Sequence, residues 1–261
     1  MSLQDAYRLD RHAYLDSMVH RLDPRAKVLA TLAFILTVVS FNKYALAPLT
    51  PFVLFPLCLA VLGFVPAGLI LRRLLIASPF IIFIGMFNPL LDRAALFTVH
   101  GVAVSGGWVS FMSILARGFL CVAAAIVLIA TTSMPRITEA LGAMRVPRPL
   151  IVQLMLLYRY LFVLISEASR LNQARELRSA RKRTRLATAS RMLSTLLLRT
   201  VDRSEAIYRA MQVRGFDGRL RTPRKMSWRS EDTFFLALVV AGCAALRLLP
   251  VTQWLGAGVA L

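Results

Sequence analysis

LIVQLMLLYRYLFVLIS (Leu150–Ser166) runs without a helix breaker into EASRLNQARELRSARKRTR (Glu167–Arg185). The first half is apolar apart from Gln153 and Arg159; the second half is basic. Pro147 and Pro149 stop whatever precedes them, since proline lacks the amide proton and restricts the residue before it. The pattern predicts one long helix from about Pro149 to Arg185. With 17 residues the apolar half sits at the lower limit for crossing a bilayer, so it passes for a span. If it crossed, the basic half would change sides and the last apolar window of the chain would end in the cytoplasm. It is therefore expected to lie against a membrane bundle at a shallow angle.

Composition supports a bundle of that kind. The chain has 261 residues, 32 Lys and Arg against 13 Asp and Glu, and a formal charge of +19. It is 57% hydrophobic and 17% charged, with a mean hydropathy of +0.64. Soluble domains are about half apolar and a quarter charged. Charge facing lipid is costly, so the basic and apolar excesses must be separated in space. This excludes a disordered basic tail and a disulfide-built mini-domain, and argues against a soluble nucleic-acid binder despite the charge.

Outward from the quoted stretch, the charge-poor windows are Val28–Phe41 with 14 residues, Tyr44–Pro66 with 23, Leu74–Leu91 with 18, Gly107–Thr131 with 25 and Thr233–Leu249 with 17. The last four read as transmembrane helices; the first is short and needs Arg25 and Lys27 to snorkel. From Glu167 to Arg229 there are 17 Lys and Arg against 5 Asp and Glu, which the positive-inside rule places in the cytoplasm. Arg21, Arg25 and Lys27, then Arg72 and Arg73, then Arg136, Arg145 and Arg148 alternate with loops carrying only Lys43, Asp92 and Arg93. The alternation fits about five spans, with the N-terminus inside and the C-terminus outside. No cleavable signal peptide is expected, because the first 27 residues are polar. Cys58, Cys121 and Cys243 lie one to a window and show no ligand spacing.

On the long helix Arg170, Arg178, Arg181 and Arg185 fall within a quarter of the circumference at 100° per residue. A second helix is predicted from about Ala189 to Arg214, with Leu193, Leu197, Val201, Tyr208 and Met211 as an apolar stripe and Gly215 as its stop. Two readings of these helices stay open. One is a platform on anionic lipid. The other is a docking element whose helix-end arginines enter an acidic groove on a partner.

Four segments resemble, in order, the transmembrane T component of energy-coupling factor transporters, the EcfT/CbiQ family. They are HRLDPRAKVLATLAFI (His20–Ile35), ATTSMPRITEALGAMRVP (Ala130–Pro147), LLYRYLFVLISEASRL (Leu156–Leu171) and DRSEAIYRAMQVRGFDG (Asp202–Gly218). The resemblance implies an all-α integral membrane protein of about five transmembrane helices with long cytoplasmic amphipathic coupling helices. It divides the chain into residues 1–131 with spans one to four, 132–229 with the coupling helices, and 230–261 with the last span. The family carries two Ala-Arg-Gly motifs at the coupling-helix tips, which contact two ATPase subunits. The second maps onto Val213-Arg214-Gly215 with Met211 beside it. The first maps onto Leu177-Arg178-Ser179 and keeps only the arginine. A literal Ala116-Arg117-Gly118 lies in an apolar window, where Arg117 is expected to be a buried polar anchor. Arg159 is expected to carry displacement along the long helix.

The resemblance further implies a non-catalytic subunit of an ATP-driven importer in the bacterial inner membrane. It couples two ATP-binding ATPase subunits to a cobalt-type substrate-binding membrane subunit, with or without a small accessory membrane subunit. No cofactor belongs to this chain: ATP and magnesium sit on the ATPase subunits and cobalt on the substrate subunit. The chain has no GxxxxGK[ST] phosphate loop, which agrees. Its N-terminal and middle segments favour cobalt or nickel uptake, with a shared component for vitamin uptake as the alternative and a stand-alone secondary transporter as a remoter one. His12, His20 and His100 are scattered and read as ordinary polar residues. No nucleic acid is expected as a partner.

Overall fold

In the computed structural model, which describes residues 17–42, 46–91, 95–99, 102–178, 186–218 and 227–248, Asp23 opens the first long helix, α1 (Pro24–Val39). Its carboxylate accepts from the Arg25 amide at 2.8 Å, and Pro24 takes the first helical position, where its missing N–H costs nothing. A 3₁₀ stretch over Ala47–Val53 leads into α2 (Leu54–Leu62), and α3 (Ala67–Met86) follows. After a single turn at Asn88–Leu91 come two antiparallel strands, β1 (Ala95–Val99) and β2 (Val102–Ser105), then α4 (Gly106–Thr131). The chain continues with α5 (Met134–Ala143), α6 (Arg148–Arg178), α7 (Leu186–Val213) and α8 (Ser230–Leu248). It divides into two compact units: the described residues of 9–133 and 226–261 form one, and those of 134–225 the other.

Among the described residues, α3, α4 and α6 are long and apolar enough to cross a membrane. The molecule is thus an all-α, multi-pass membrane protein with a small β-hairpin. Within the 23-residue window Tyr44–Pro66 the apolar helical run is shorter than in α3, α4 and α6. The window's described part is helical over Ala47–Leu62, a 3₁₀ stretch holding Pro48 and Pro51 that continues into α2 and ends at Gly63. Arg72 and Arg73, expected in a loop, lie in the second turn of α3, since nothing between Pro66 and Pro79 stops a helix. α8 carries Glu231, Asp232 and Arg247 and falls outside the three long apolar helices. The segment Asn88–Gly106, read as a loop, holds the hairpin. α6 ends at Arg178 in the described residues; Ser179, Arg181 and Arg185 lie outside them.

Prolines within apolar helices leave an unmatched carbonyl four residues back, which must be satisfied inside a membrane. One hydroxyl does this: Ser78 Oγ donates to Leu75 O at 2.9 Å, the carbonyl that Pro79 cannot serve. In the 3₁₀ stretch Thr50 Oγ1 donates to Ala47 O, three residues back.

The membrane unit is built around α4, which packs on α1, α2 and α3, while α8 packs on α1. Its core joins Phe34, Val38, Leu49, Phe52, Leu120 and Ala124. A side chain at Gly118 would meet Ile81 Cγ2 at 2.7 Å, and one at Gly85 would meet Phe111 Cδ2 at 2.8 Å. These glycines let α3 and α4 approach closely, as small residues do in membrane bundles. Gly68 meets nothing within 4 Å. It lines, with Ala123, an apolar groove of about 1180 Å³ on α2, α3 and α4. The small residues of the spans thus serve two ends, close packing at Gly85 and an open groove at Gly68.

A buried polar network closes one end of this unit. Lys27, 3% exposed, donates from Nζ to Thr131 O at 3.1 Å, the last carbonyl of α4, where a cation meets the negative end of the helix dipole. Asp232, 2% exposed, accepts from the backbone amides of Asp23 at 2.7 Å and Arg229 at 2.8 Å. It thereby ties α8 to the start of α1 across 209 residues. The segment His20–Ile35 therefore carries a cap, a helix start and a buried lysine. Beyond the C-terminal end of α1, Arg117 donates to Asn42 O and to Ser113 Oγ, the latter at 2.9 Å. Arg247 donates to Ser40 O at 3.0 Å and stacks 4.3 Å from the Phe41 ring centroid. Two arginines inside apolar helices are thus held by backbone carbonyls next to a helix end.

Candidate functional site

α6 and α7 run antiparallel. Arg199 Nη1 of α7 meets Glu167 Oε1 of α6 at 2.6 Å. Beside this pair Val163 and Leu164 face Leu196, Thr200 and Arg203. Further along, Leu156, Arg159 and Tyr160 face Ile207, Ala210, Met211 and Arg214 across a groove. As residue numbers fall on α6 they rise on α7, which only an antiparallel pair allows. The stripe Leu193, Leu197, Val201 and Tyr208 is exposed; it flanks the side of α7 that faces α6. Neither helix contains a buried residue.

This arrangement fixes where the two tip arginines lie. Arg214 shares a groove with Arg159. Arg178 is nineteen residues further along the same unbroken helix, about 28 Å away at 1.5 Å per residue. The arginines therefore mark opposite ends of one helical hairpin. Each follows an aliphatic residue that is almost bare: Leu177 is 90% exposed and Val213 89%. Ser179, the third residue of the first tip, lies outside the described residues.

The second tip has a defined turn. Gly215 has φ +72°, the left-handed region open to glycine. The Phe216 amide donates to Met211 O at 3.0 Å and the Gly215 amide to Gln212 O at 2.9 Å. These bonds, from the sixth residue to the first and from the fifth to the second, make a Schellman cap with Arg214 as the capping residue. Met211 and Phe216 then line the groove together, the apolar contact that accompanies such caps. Gly215 thus sets the direction in which the chain leaves Arg214.

Arg117, expected as a buried polar anchor, and Arg159, expected to carry displacement along the long helix, have different surroundings in the structure. Arg159 is exposed and lines the groove beside Arg214. Arg117 belongs to the membrane unit, where it donates to Ser113 Oγ. The Ala116-Arg117-Gly118 triplet has a packing reason at Gly118 and an anchoring one at Arg117. Asp232 escapes a reading of the sequence alone; an acidic residue in the first turn of an otherwise apolar helix is its one signal. Among the described residues no three His, Cys, Asp or Glu side chains gather to hold a metal ion.

Comparison with known proteins adds the lineage of this arrangement. A family profile described as cobalt transport protein, CbiQ, matches residues 16–226. The chain is 25% identical over 258 residues to the energy-coupling factor transporter transmembrane protein EcfT of Streptococcus thermophilus, covering 91% of this chain and 96% of that one. It is 28% identical over 252 residues to the EcfT of Limosilactobacillus fermentum, covering 87% and 91% of the two chains. Over 97 residues it is 34% identical to a protein of Methanocorpusculum labreanum named as a fused cobalt transport protein, CbiMQ, covering 36% of this chain and 16% of that one.

Proposed function

Because the chain belongs to the CbiQ/EcfT family of energy-coupling factor transporter transmembrane subunits, we propose that the α6–α7 hairpin is the lever through which two ATPase subunits drive a substrate-binding membrane subunit. The chain is a multi-pass, non-catalytic coupling subunit of the cytoplasmic membrane. Arg178 with Leu177 and Ser179 docks one ATPase subunit in this proposal. Arg214 with Met211, Val213 and Gly215 docks the other. ATP-driven closure moves the two ends relative to each other, and α6 passes the displacement to the membrane face holding the substrate subunit. α1, the Ala47–Leu62 stretch, α3, α4 and α8 make five crossings, with the N-terminus and the hairpin in the cytoplasm. The cargo is cobalt, as the family description and the fused relative suggest, and its binding site lies on the substrate subunit.

The observation that carries this reading is the placement of Arg178 and Arg214 at opposite ends of one antiparallel pair. Two grips about 28 Å apart on one antiparallel pair let a relative movement of the motors bend or turn that pair. Losing one partner of a buried interfacial charge pair costs about 2–5 kcal/mol. Arg178→Glu and Arg214→Glu should therefore each abolish transport-linked ATP hydrolysis while the protein still inserts. Normal cobalt uptake by cells carrying either variant would overturn the assignment.

A further inference from the structure

The groove at the Arg214 end is a feature the docking motif does not account for. It measures about 670 Å³, within the roughly 300–1,000 Å³ of pockets that enclose a ligand or a few side chains. Two guanidinium groups line it, Arg159 from α6 and Arg214 from α7, against one carboxylate, Asp217. Leu156, Met211 and Phe216 supply an apolar wall. Arg159 and Arg214 stand fifty-five residues apart in sequence and meet only because α6 and α7 are antiparallel. The Schellman turn at Gly215 holds Phe216 and Asp217 against the same opening.

We propose that this groove receives an acidic segment of one ATPase subunit: a carboxylate seated between Arg159 and Arg214, with a neighbouring apolar side chain against Met211 and Phe216. Arg159 is then a second docking arginine. The excess of arginine over aspartate sets the sign of the occupant, and arginine's planar fork suits a carboxylate. The apolar wall and the volume suit a protein segment better than a free phosphate ion, which would leave Leu156, Met211 and Phe216 wet. This inference rests on the docking reading above, and the test separates the two.

The test uses the full-length chain in lipid nanodiscs, with the three native cysteines replaced by alanine, in the presence and absence of its ATPase subunits. Ala210→Cys places a thiol on the groove and Leu177→Cys places one at the opposite end; alkylation rates with a polar maleimide are measured. The expected result is at least tenfold slower alkylation at both positions on assembly. Arg159→Glu should restore the fast rate at position 210, and Arg159→Lys should restore it only in part. Protection at 177 with an unprotected 210 overturns the groove proposal and leaves the docking reading standing. Protection at neither position overturns both. Full protection at 210 in Arg159→Glu removes Arg159 from the site and overturns the proposal.

Discussion

Replacing Gly215 by alanine tests whether the shape of the second tip, and not only its charge, carries docking. At φ +72° a glycine pays no steric penalty. A β-carbon in the left-handed region costs about 1–2 kcal/mol. Nothing lies within 4 Å of the position that carbon would take, so the whole cost is backbone and no clash contributes. A penalty of that size lowers the population of the capped turn about 5- to 30-fold relative to open alternatives. If only the capped turn aims Arg214 and Phe216 correctly, ATPase affinity falls by up to the same factor. Asparagine tolerates this region better than alanine, so Gly215→Asn should recover part of the loss. The assay is equilibrium binding of the ATPase subunits to the nanodisc-held chain, with Gly68→Ala as a control in the membrane unit, where a side chain also meets nothing within 4 Å. Equal affinities for wild type, Gly215→Ala and Gly215→Asn would show that the turn plays no part in docking.

Three further outcomes follow from the membrane unit. Asp232→Ala strands two backbone amides that now share one buried carboxylate; at about 1–3 kcal/mol for each orphaned donor, the melting temperature in detergent should drop sharply, and Asp232→Asn, which keeps one acceptor, should lose about half as much. Gly118→Ala puts a methyl into Ile81 Cγ2 and should destabilise by about 1–3 kcal/mol; adding Ile81→Ala, which removes that carbon, should cost less than the two single losses summed, and strictly additive losses would refute the contact. Lys27→Met removes a buried ammonium from the carbonyl end of α4; loss of a charge-assisted bond costs about 1.5–3 kcal/mol, so thermal unfolding should shift down while the variant still inserts.

The sequence makes the end of α7 and the extent of α4 readable, because Gly215 is a clear stop and Gly107–Thr131 is nearly free of charge. Two other elements are hidden for identifiable reasons. Counting charge-free residues ignores proline, and within one apparent span Pro48 and Pro51 fall in a 3₁₀ stretch that continues into a short helix. Counting charges ignores where a helix begins, and Arg72 and Arg73 read as a loop although Pro66 starts α3 ahead of them. The role open to Arg159 is hidden differently. Its own helix gives an apolar context, and only the register of α6 on α7 brings it to Arg214. A register between two helices with exposed stripes on both leaves no periodicity to read.

The unequal chemistry of the tips follows from the same geometry. At 215 a glycine closes the helix in the left-handed conformation and turns the chain back over Met211. The corresponding residue of the first tip is Ser179, for which that conformation costs about 1–2 kcal/mol, so an identical cap is disfavoured there. One end of the hairpin therefore offers a fixed turn with a second arginine beside it, and the other an exposed Leu177-Arg178 pair where the described part of a long helix stops. Swapping the tips tests the point directly. A Ser179→Gly variant should strengthen the first grip if the cap is what matters. Unchanged affinity in Ser179→Gly, alongside a loss in Gly215→Ala, would mean that the two motors read different features: a formed turn at one end, and an exposed aliphatic-arginine pair at the other.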